Sequence, residues 1–298
     1  MSTESRVETL DDLSLANQPY RSLWRDAAVR FSRNRIAIAA LIILLLLTTL
    51  AIAAPLIERH PSSAQDYDHL QEGPSTEYWL GTDLLGRDQW SRLVNGARIS
   101  LSIGILTQAI ALCIGLVVGL AAGLGGRSID NAFMRGTDVA YAFPDLLMLI
   151  LLLSVFGSSL TMIVIAIALV SWPTLARLVR GQVLSLQERD FVLAARAMGA
   201  SRLHIVTVHM LPNTLGPVVV AAVFGIPFAI FAEAALAFIG LGLPPPTPSW
   251  GRLATDGYSA IRSSPHLVLS ASLAIAATMI AFTFIGDGLR DALDPRSR

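Results

Sequence analysis

The sequence predicts an all-α integral membrane protein with six transmembrane helices and both termini in the cytoplasm. Of its 298 residues, 53% are hydrophobic and 15% are charged, and the mean hydropathy is +0.59. The charges cluster between long uncharged runs, which is typical of a polytopic helical membrane protein. Short cytoplasmic loops are enriched in arginine, and a six-span arrangement places 16 of the 22 arginines on the inside.

The first uncharged run, residues 36–57, is long enough as a helix to cross a hydrocarbon core of about 30 Å. A cleaved secretory signal has an apolar region of only about 7–15 residues, so we expect this segment to stay in the protein. The predicted units are a cytoplasmic N-terminal tail at 1–35, transmembrane helix 1 at 36–57, a periplasmic or extracellular loop with an interfacial helix at 58–98, a five-helix core at 99–289 that includes a cytoplasmic loop at 181–213, and a cytoplasmic tail at 290–298.

Residues 146–176 form an uncharged stretch of 31 residues, which is too long for one membrane-crossing helix. Gly157-Ser158-Ser159 offers a turn within it, and a division there keeps the arginine-rich segment that follows on the same side as the N-terminus. We therefore predict two spans here, at 137–155 and 160–178. The last two spans are predicted at 214–239, broken by Pro217 and Pro227, and at 267–285.

Small residues recur every four positions in the second span. Gly115, Gly119 and Gly123, together with Ala111, lie on one face of the predicted helix. Small residues at this spacing let a second helix approach closely. We expect this face to pack inside the helical core rather than to act alone as a dimerisation motif.

Residues 185–212 form a polar, arginine-bearing segment between two apolar runs. Ser185 and Glu188 have the spacing of a capping box, which predicts the start of a short helix. Gly199 suits the left-handed position after that helix, and Ser201 suits the cap of the next one. The apolar face of the first helix is expected to comprise Phe191, Val192, Ala194, Ala195 and Met198. The pattern alone is compatible with a connector or with a docking surface.

Ala194-Ala195-x-x-x-Gly199, followed by Leu211-Pro212, resembles the EAA loop of bacterial ABC-importer permeases. In that family the loop seats in a groove of the ATPase subunit. The resemblance therefore implies an ATPase-coupling role for the loop 181–213. Leu193 stands where the family usually has glutamate. The resemblance implies this ATPase-coupling role for eight residues, namely Glu188, Arg189, Ala194, Ala195, Arg196, Gly199, Leu211 and Pro212.

Four further stretches, in order from about residue 80 to the end, resemble the dipeptide and oligopeptide (DppC/OppC) branch of these permeases. The resemblance implies a type I ABC importer permease fold in the bacterial inner membrane. It also implies a homologous second permease subunit, two ABC ATPase subunits and an extracytoplasmic peptide-binding protein as partners. Members of the branch carry dipeptides, oligopeptides, nickel chelates, glutathione or haem, and these substrates stay open. The stretches are residues 81–88, 143–144, 233–250 and 286–295.

The chain contains no lysine, so it cannot form a P-loop, whose lysine contacts the phosphates. We expect no enzymatic activity and no cofactor in this chain, with ATP and Mg²⁺ bound by the partner ATPases. The five histidines lack metal-ligand spacing, so no metal site is predicted. The net charge of zero gives no indication of nucleic-acid binding.

Charged side chains within membrane spans are costly and usually face a cavity or a partner. We expect Glu233, Asp145 and Asp138 to be candidates for the translocation path, with Glu233 at its outer gate. Structural pairing, for instance with Arg177 or with the second permease subunit, is the alternative, and for Asp138 we favour such pairing. Asp88 and Arg92 are spaced to pair across one helical turn. The alternative functions are a stand-alone secondary transporter or channel that uses the buried carboxylates, and a membrane scaffold without transport.

Overall fold

The computed structural model describes residues 23–294, which are almost entirely helical apart from the loops. The expected tail segments 1–22 and 295–298 lie outside the described residues. The helices are α1 (Leu23–Arg33), α2 (Arg35–Ile57), α3 (Gln89–Leu124), α4 (Gly126–Tyr141), α5 (Asp145–Phe156), α6 (Leu160–Gln187), α7 (Asp190–Ala197), α8 (Arg202–Phe238), α9 (Trp250–Ser259) and α10 (Pro265–Leu293).

Five of these helices, α2, α3, α6, α8 and α10, are long and apolar enough to cross a membrane. The first predicted span agrees with α2, which begins where the Asn34 side chain accepts hydrogen bonds from the N–H groups of Ile36 and Ala37. The predicted interfacial helix and second span form one continuous helix, α3, of 36 residues. Asp88 caps that helix by accepting a hydrogen bond from the Ser91 N–H at 3.1 Å.

The predicted span at 137–155 is wrong in its boundaries, because the helix breaks before Asp145. Helices α4 and α5 are bent by 82° at this break. Pro144 lacks an N–H group and disfavours helical geometry at Phe143, which explains the interruption. Helix α5 has 12 residues and a length of about 18 Å, so it does not cross the hydrocarbon core by itself.

The path of the chain shows that α4 and α5 together act as the sixth crossing. At one end of the bundle, Gln187 at the end of α6 donates a hydrogen bond to the carbonyl of Gly123 at the end of α3. At the opposite end, Ser158 before α6 donates one to the carbonyl of Leu241 after α8. The bent pair therefore connects the two ends. We call the end with α7 the elbow end, and the end with residues 58–88 and α9 the cap end.

Helices α3 and α6 form the most extensive helix pair among the described residues. The glycine face predicted in the second span contacts α6 directly. A Cβ atom added at Gly119 would lie 2.5 Å from the Cβ atom of Val179, and one at Gly123 would lie 2.5 Å from Cγ1 of Val183. At Gly115, an added Cβ atom would lie 2.7 Å from that of Leu175. The glycines thus allow α3 and α6 to approach each other more closely than any larger side chain would permit.

Helix α8 contains Pro217 and Pro227 but is not broken by them, contrary to the prediction. Membrane helices tolerate proline where neighbouring helices and polar side chains support the freed backbone groups. Residues of α3, α5, α6 and α8 together form the largest buried apolar cluster, which includes Ile103, Leu149, Ile167, Ala229 and Leu236. Four helices therefore enclose this core.

We expect Gly119→Ala to lower the thermal midpoint of the purified protein, because overpacking a dense helix contact costs about 1–3 kcal/mol. The matched control is Gly181→Ala in α6, where an added Cβ atom has no neighbour within 4 Å. The control should leave the midpoint unchanged or raise it, since alanine is favoured over glycine in helices by about 1 kcal/mol. Equal midpoints for the two variants would contradict the packing role of Gly119.

Candidate functional site

Helix α7 lies at the elbow end, where it is packed onto the ends of two spans. Val192 and Ala195 on its inner face are buried. They belong to an apolar cluster with Val179 and Val183 of α6 and with residues of α8, including Met210. A short helix held by both flanking spans cannot move independently of them. We call residues 188–201 the elbow.

The elbow ends in the geometry that its sequence predicts. Gly199 has a φ of +80°, and the N–H of Ala200 donates to the carbonyl of Ala195 at 3.0 Å. The Ser201 side chain accepts a hydrogen bond from the His204 N–H at 3.2 Å. These contacts satisfy backbone groups at the end of α7 and the start of α8.

The capping box predicted at Ser185 and Glu188 is wrong. Helix α6 continues through Ser185 to Gln187, and α7 begins at Asp190 without a side-chain cap. The buried residues Val179 and Val183 continue the apolar face of α6 into this last turn, and Gln187 bonds to α3. These tertiary contacts override the local capping signal.

The outer face of the elbow is exposed and carries both charge and apolar surface. Glu188, Arg189 and Arg196 are exposed. Leu193, which replaces the usual glutamate, is 48% exposed, and Met198 is 82% exposed. The predicted apolar face is therefore only partly buried, because Phe191, Ala194 and Met198 point away from the spans. An exposed apolar patch rimmed by charges is typical of a protein interaction site.

Leu211-Pro212 lies where a π-helical turn, Ile205–Met210, passes into the α-helical part of α8. The N–H of Leu211 donates to the carbonyl of Val206, five residues earlier. The Asn213 side chain donates to the carbonyl of His209 at 2.6 Å. The Asn213 side chain thus adds a hydrogen bond to the backbone where the π-helical turn ends.

Asp138 and Asp145 lie on the bent pair rather than in a buried path. Arg177 donates to Asp138 at 2.6 Å and lies 4.2 Å from the centre of the Tyr141 ring. Both partners of this ion pair are substantially exposed. Asp145 is exposed in the first turn of α5. The structure therefore gives Asp138 the pairing partner that we favoured.

A second ion pair, between Asp130 and Arg180, joins α4 to α6. Both the Nε and Nη2 atoms of Arg180 donate to the Asp130 carboxylate. This bidentate geometry is the strongest form of an arginine–carboxylate contact. The two ion pairs fix α4 along the elbow half of α6.

At the cap end, residues 58–88 fold into a compact layer over the spans. Tyr78 is 5% exposed, and its ring stacks on that of His60 with a centroid distance of 4.9 Å. Burial and the nearby Asp66 raise the pKa of the Tyr78 phenol above its usual value. Thr82 is fully buried and donates to the carbonyl of His69. The predicted external loop is thus an ordered cap.

The cap is fastened to α3 and α9 by a buried charge network. Arg92 of α3 is 1% exposed and lies 3.4 Å from Asp83 of the cap and 3.2 Å from Asp256 of α9. Arg87 pairs with Asp83 at 2.7 Å and with Asp256 at 3.5 Å. The predicted pair of Asp88 with Arg92 is therefore wrong, because Asp88 is used as a helix cap.

The sequence does not predict this network, although Asp83 and Arg87 lie in a recognised motif and Arg92 lies just after it. Asp256 lies in no such motif and is 164 residues from Arg92. A buried arginine needs carboxylate partners, since an unpaired buried charge is very costly. The network can be found by searching the sequence for the acidic residues that could neutralise a buried Arg92.

Glu233 of α8 is fully buried next to the start of α9. Its Oε1 atom accepts a hydrogen bond from Ser249 Oγ at 2.7 Å. A Cβ atom added at Gly251 would lie 2.9 Å from Glu233 Oε2, so the glycine allows the carboxylate to approach the helix start. Trp250, which lies between Ser249 and Gly251 in the chain, is 1% exposed. Its backbone N–H donates to Ser100 Oγ of α3 at 3.0 Å. Glu233 thus joins α8 to α9, and in this conformation it has no exposed surface.

These features define a polytopic helical membrane protein with an ordered cap at one end and a protruding elbow at the other. Residues 115–298 match the family model of the binding-protein-dependent transport system inner membrane component. Residues 22–74 match the N-terminal TM domain of oligopeptide transport permease C.

Curated relatives match over nearly the whole chain. The oligopeptide transport system permease protein OppC of Bacillus subtilis (strain 168) is 42% identical over 277 residues, which cover 93% of this chain and 91% of the relative. OppC of Escherichia coli (strain K12) is 40% identical over 301 residues and the full length of both chains. The glutathione transport system permease protein GsiD of Pectobacterium atrosepticum is 41% identical over 279 residues, 93% of this chain and 91% of the relative.

The fold is also similar to that of the inward-facing MetNI methionine ABC transporter. The TM-score is 0.56 at 20% identity, over 68% of this chain and 96% of the solved chain. The chain belongs to the family of binding-protein-dependent transport system inner membrane components. It is therefore a permease subunit of an ABC importer and a component of the inner membrane.

We expect Asp83→Asn to destabilise the protein, because it leaves Arg87 and Arg92 buried with one fewer carboxylate. Breaking a buried ion pair from one side costs about 3–5 kcal/mol. The control is Asp68→Asn, an exposed position in the same cap. Thermal unfolding of the two purified variants measures the difference. An Asp83→Asn midpoint equal to that of the control would show that the network does not hold the cap.

Proposed function

We propose that this chain is one permease subunit of an ATP-driven importer of dipeptides or oligopeptides. It forms half of the translocation path together with a homologous second permease. The observation that carries the proposal is the elbow, whose inner face is packed on α6 and α8 while its outer face stays exposed. The names of the relatives, which include oligopeptide and dipeptide permeases, support peptides as the substrate.

ATP is hydrolysed by other subunits of this importer. The lysine-free sequence cannot supply the lysine of a P-loop. Two ABC ATPase subunits bind ATP and Mg²⁺, and each receives an elbow helix from one permease. This chain contributes no catalytic residue and no cofactor site. Its task is mechanical, because a helix fixed to two spans transmits rotation of its partner to both.

The elbow end faces the cytoplasm, together with both termini. The arginines favour this orientation, since Arg189, Arg196 and Arg202 lie at the elbow and cytoplasmic loops are enriched in arginine. The cap end then faces outward, where an extracytoplasmic peptide-binding protein delivers the substrate. The ordered cap offers that protein a defined surface.

A secondary transporter with a carboxylate relay has less support from the geometry. Asp138 is paired with Arg177, and Asp145 is exposed on α5. Glu233 is bonded to Ser249 near the cap end. A proton relay needs ionisable groups in sequence along a path, and these three carboxylates do not form one in this conformation.

We expect Ala194→Trp to release the ATPases from the purified complex and to abolish ATP-dependent peptide uptake into proteoliposomes. Ala194 is exposed on α7, so a bulky side chain there leaves the fold intact and obstructs seating in a partner groove. An overpacking cost of about 1–3 kcal/mol corresponds to roughly 5- to 150-fold weaker association. Co-purification of the ATPases and uptake of peptides of graded length measure both effects.

The control is Ala64→Trp, the same change at an exposed alanine of the cap. It should retain the ATPases, because it lies at the opposite end of the bundle. Retention of the ATPases by Ala194→Trp would refute the coupling role of the elbow. Peptide transport by this chain alone under an ion gradient would refute the ABC mechanism itself.

We further propose that Glu233 holds α9 at the outer gate. Glu233→Gln replaces the carboxyl group beside Ser249 and Gly251 with an amide of the same shape, and we expect peptide uptake and peptide-stimulated ATP hydrolysis to fall by about tenfold. The exposed cap residue Glu77, changed to Gln, serves as the control. If Glu233→Gln lowers only the thermal midpoint and leaves both activities unchanged, Glu233 is structural and does not belong to the gate.

A further inference from the structure

A groove lies between α2 and α3 in the half of the bundle nearest the cap. Its volume is about 470 Å³, which is within the range of about 300–1,000 Å³ for sites that hold small molecules. Most of its lining is apolar, with Ile52 and Pro55 on one side and Ile105 on the other. Thr48, Ser102 and Arg98 supply its polar groups.

Arg98 differs from Arg87, Arg92, Arg59 and Arg252 near the cap, because within the described residues it has no polar partner, and it differs from the unpaired Arg262 because it lines the groove. Within residues 23–294 it makes no hydrogen bond or ion pair. Arg92 is paired with two carboxylates, and Arg59 donates to the carbonyl of Thr76 and lies over the Trp79 ring at 4.7 Å. Glu58, the nearest acid along the chain, accepts a hydrogen bond from Asn95 instead.

The depth of Arg98 in the bilayer follows from helix geometry. Trp90 donates to the carbonyl of Ile57 at the end of α2 and packs against Trp79, and such aromatic residues mark the membrane interface. Arg98 lies eight residues further along α3, a rise of about 12 Å.

Arg98 is the last charged residue on α3 before the uncharged run of residues 99–126, and its backbone lies on the acyl-chain side of the level of Trp90. Arginine side chains at such positions extend toward the interface, where the phosphates are. An exposed cation without a carboxylate partner, at the mouth of an apolar groove, is complementary to a molecule with an anionic head and a hydrocarbon tail.

We propose that this groove binds one phospholipid of the cap-side leaflet. The lipid phosphate accepts hydrogen bonds from Arg98, and one acyl chain lies along Ile52 and Ile105. Helix α2 has only 17% of its most apolar window buried within the chain, so most of its apolar surface is left for lipid. The proposal requires only that the chain is embedded in a bilayer.

The experiment uses the complete importer in detergent and native mass spectrometry. The probe is dioleoyl-phosphatidylglycerol, and the matched probe without a phosphate is dioleoylglycerol. We expect the complex to retain the phospholipid, and Arg98→Gln to weaken its binding about tenfold, as the loss of a charge-assisted contact predicts. Arg98→Lys should keep most of the binding, because it keeps the charge.

Two further variants distinguish the effect of the Arg98 charge from the effect of the shape of the groove. Ser102→Phe fills the groove and keeps Arg98, so it should also lose the lipid. Arg262→Gln removes an exposed arginine at the cap end outside the groove, and should bind the lipid as the unmodified protein does. Equal binding of the diacylglycerol, or full binding by Arg98→Gln, would overturn the proposal.

A photo-crosslinker in place of Ile105, which is 48% exposed, tests what occupies the groove in proteoliposomes. A crosslink to phospholipid supports the proposal. A crosslink to the second permease subunit instead would show that a protein segment covers Arg98, and would overturn it.

Discussion

The contact between α3 and α6 is the interaction on which both ends of the molecule depend. Helix α3 begins at the cap, where Arg92 joins the charge network, and it ends at the elbow, where Gly123 accepts a hydrogen bond from Gln187. Helix α6 leads directly into α7. Lipid supplies little hydrophobic force between helices, so close packing on small residues must hold the pair together. The glycine face makes this approach possible.

The two ends of the bundle show two ways in which a membrane protein keeps a charged group stable. Arg92 is buried among Asp83 and Asp256, where its desolvation is offset by two carboxylates. The arginines of the elbow stay exposed, where water or a partner solvates them. The buried network fixes one structure at the cap, whereas the exposed charges leave the elbow free to associate. Charge is thus buried and paired at the cap but exposed to the surroundings at the elbow.

Much of the fold could be predicted from the sequence, because the membrane spans are marked by hydropathy, which is a property of the residues themselves. The uncharged runs located α2, α6 and α10, and the four-residue spacing located the glycine face. Local signals failed where tertiary contacts competed with them. Val183 and Gln187 extend α6 past the capping box at Ser185, and distant Asp256 takes part in pairing Arg92. Gln187 and its partner Gly123 are 64 residues apart, and Arg92 and Asp256 are 164 apart, so no local pattern in one sequence reveals these contacts.

Two routes connect the elbow to the cap, and they differ in stiffness. The route through α6 and α3 is a close helix contact at the glycines of α3, which leaves no space there for a larger side chain. The route through α8 contains the π-helical turn Ile205–Met210 and two prolines within the span. Each proline removes one backbone hydrogen bond, and α6 contains one proline, Pro173, whereas α3 contains none, so α8 has the weakest backbone of the three helices. Under the proposed function, a rotation of the elbow by its partner would shift α3 and α6 as a unit and deform α8, because α7 is packed on both routes. Glu233, near the end of α8, would then pass that deformation to α9 through Ser249.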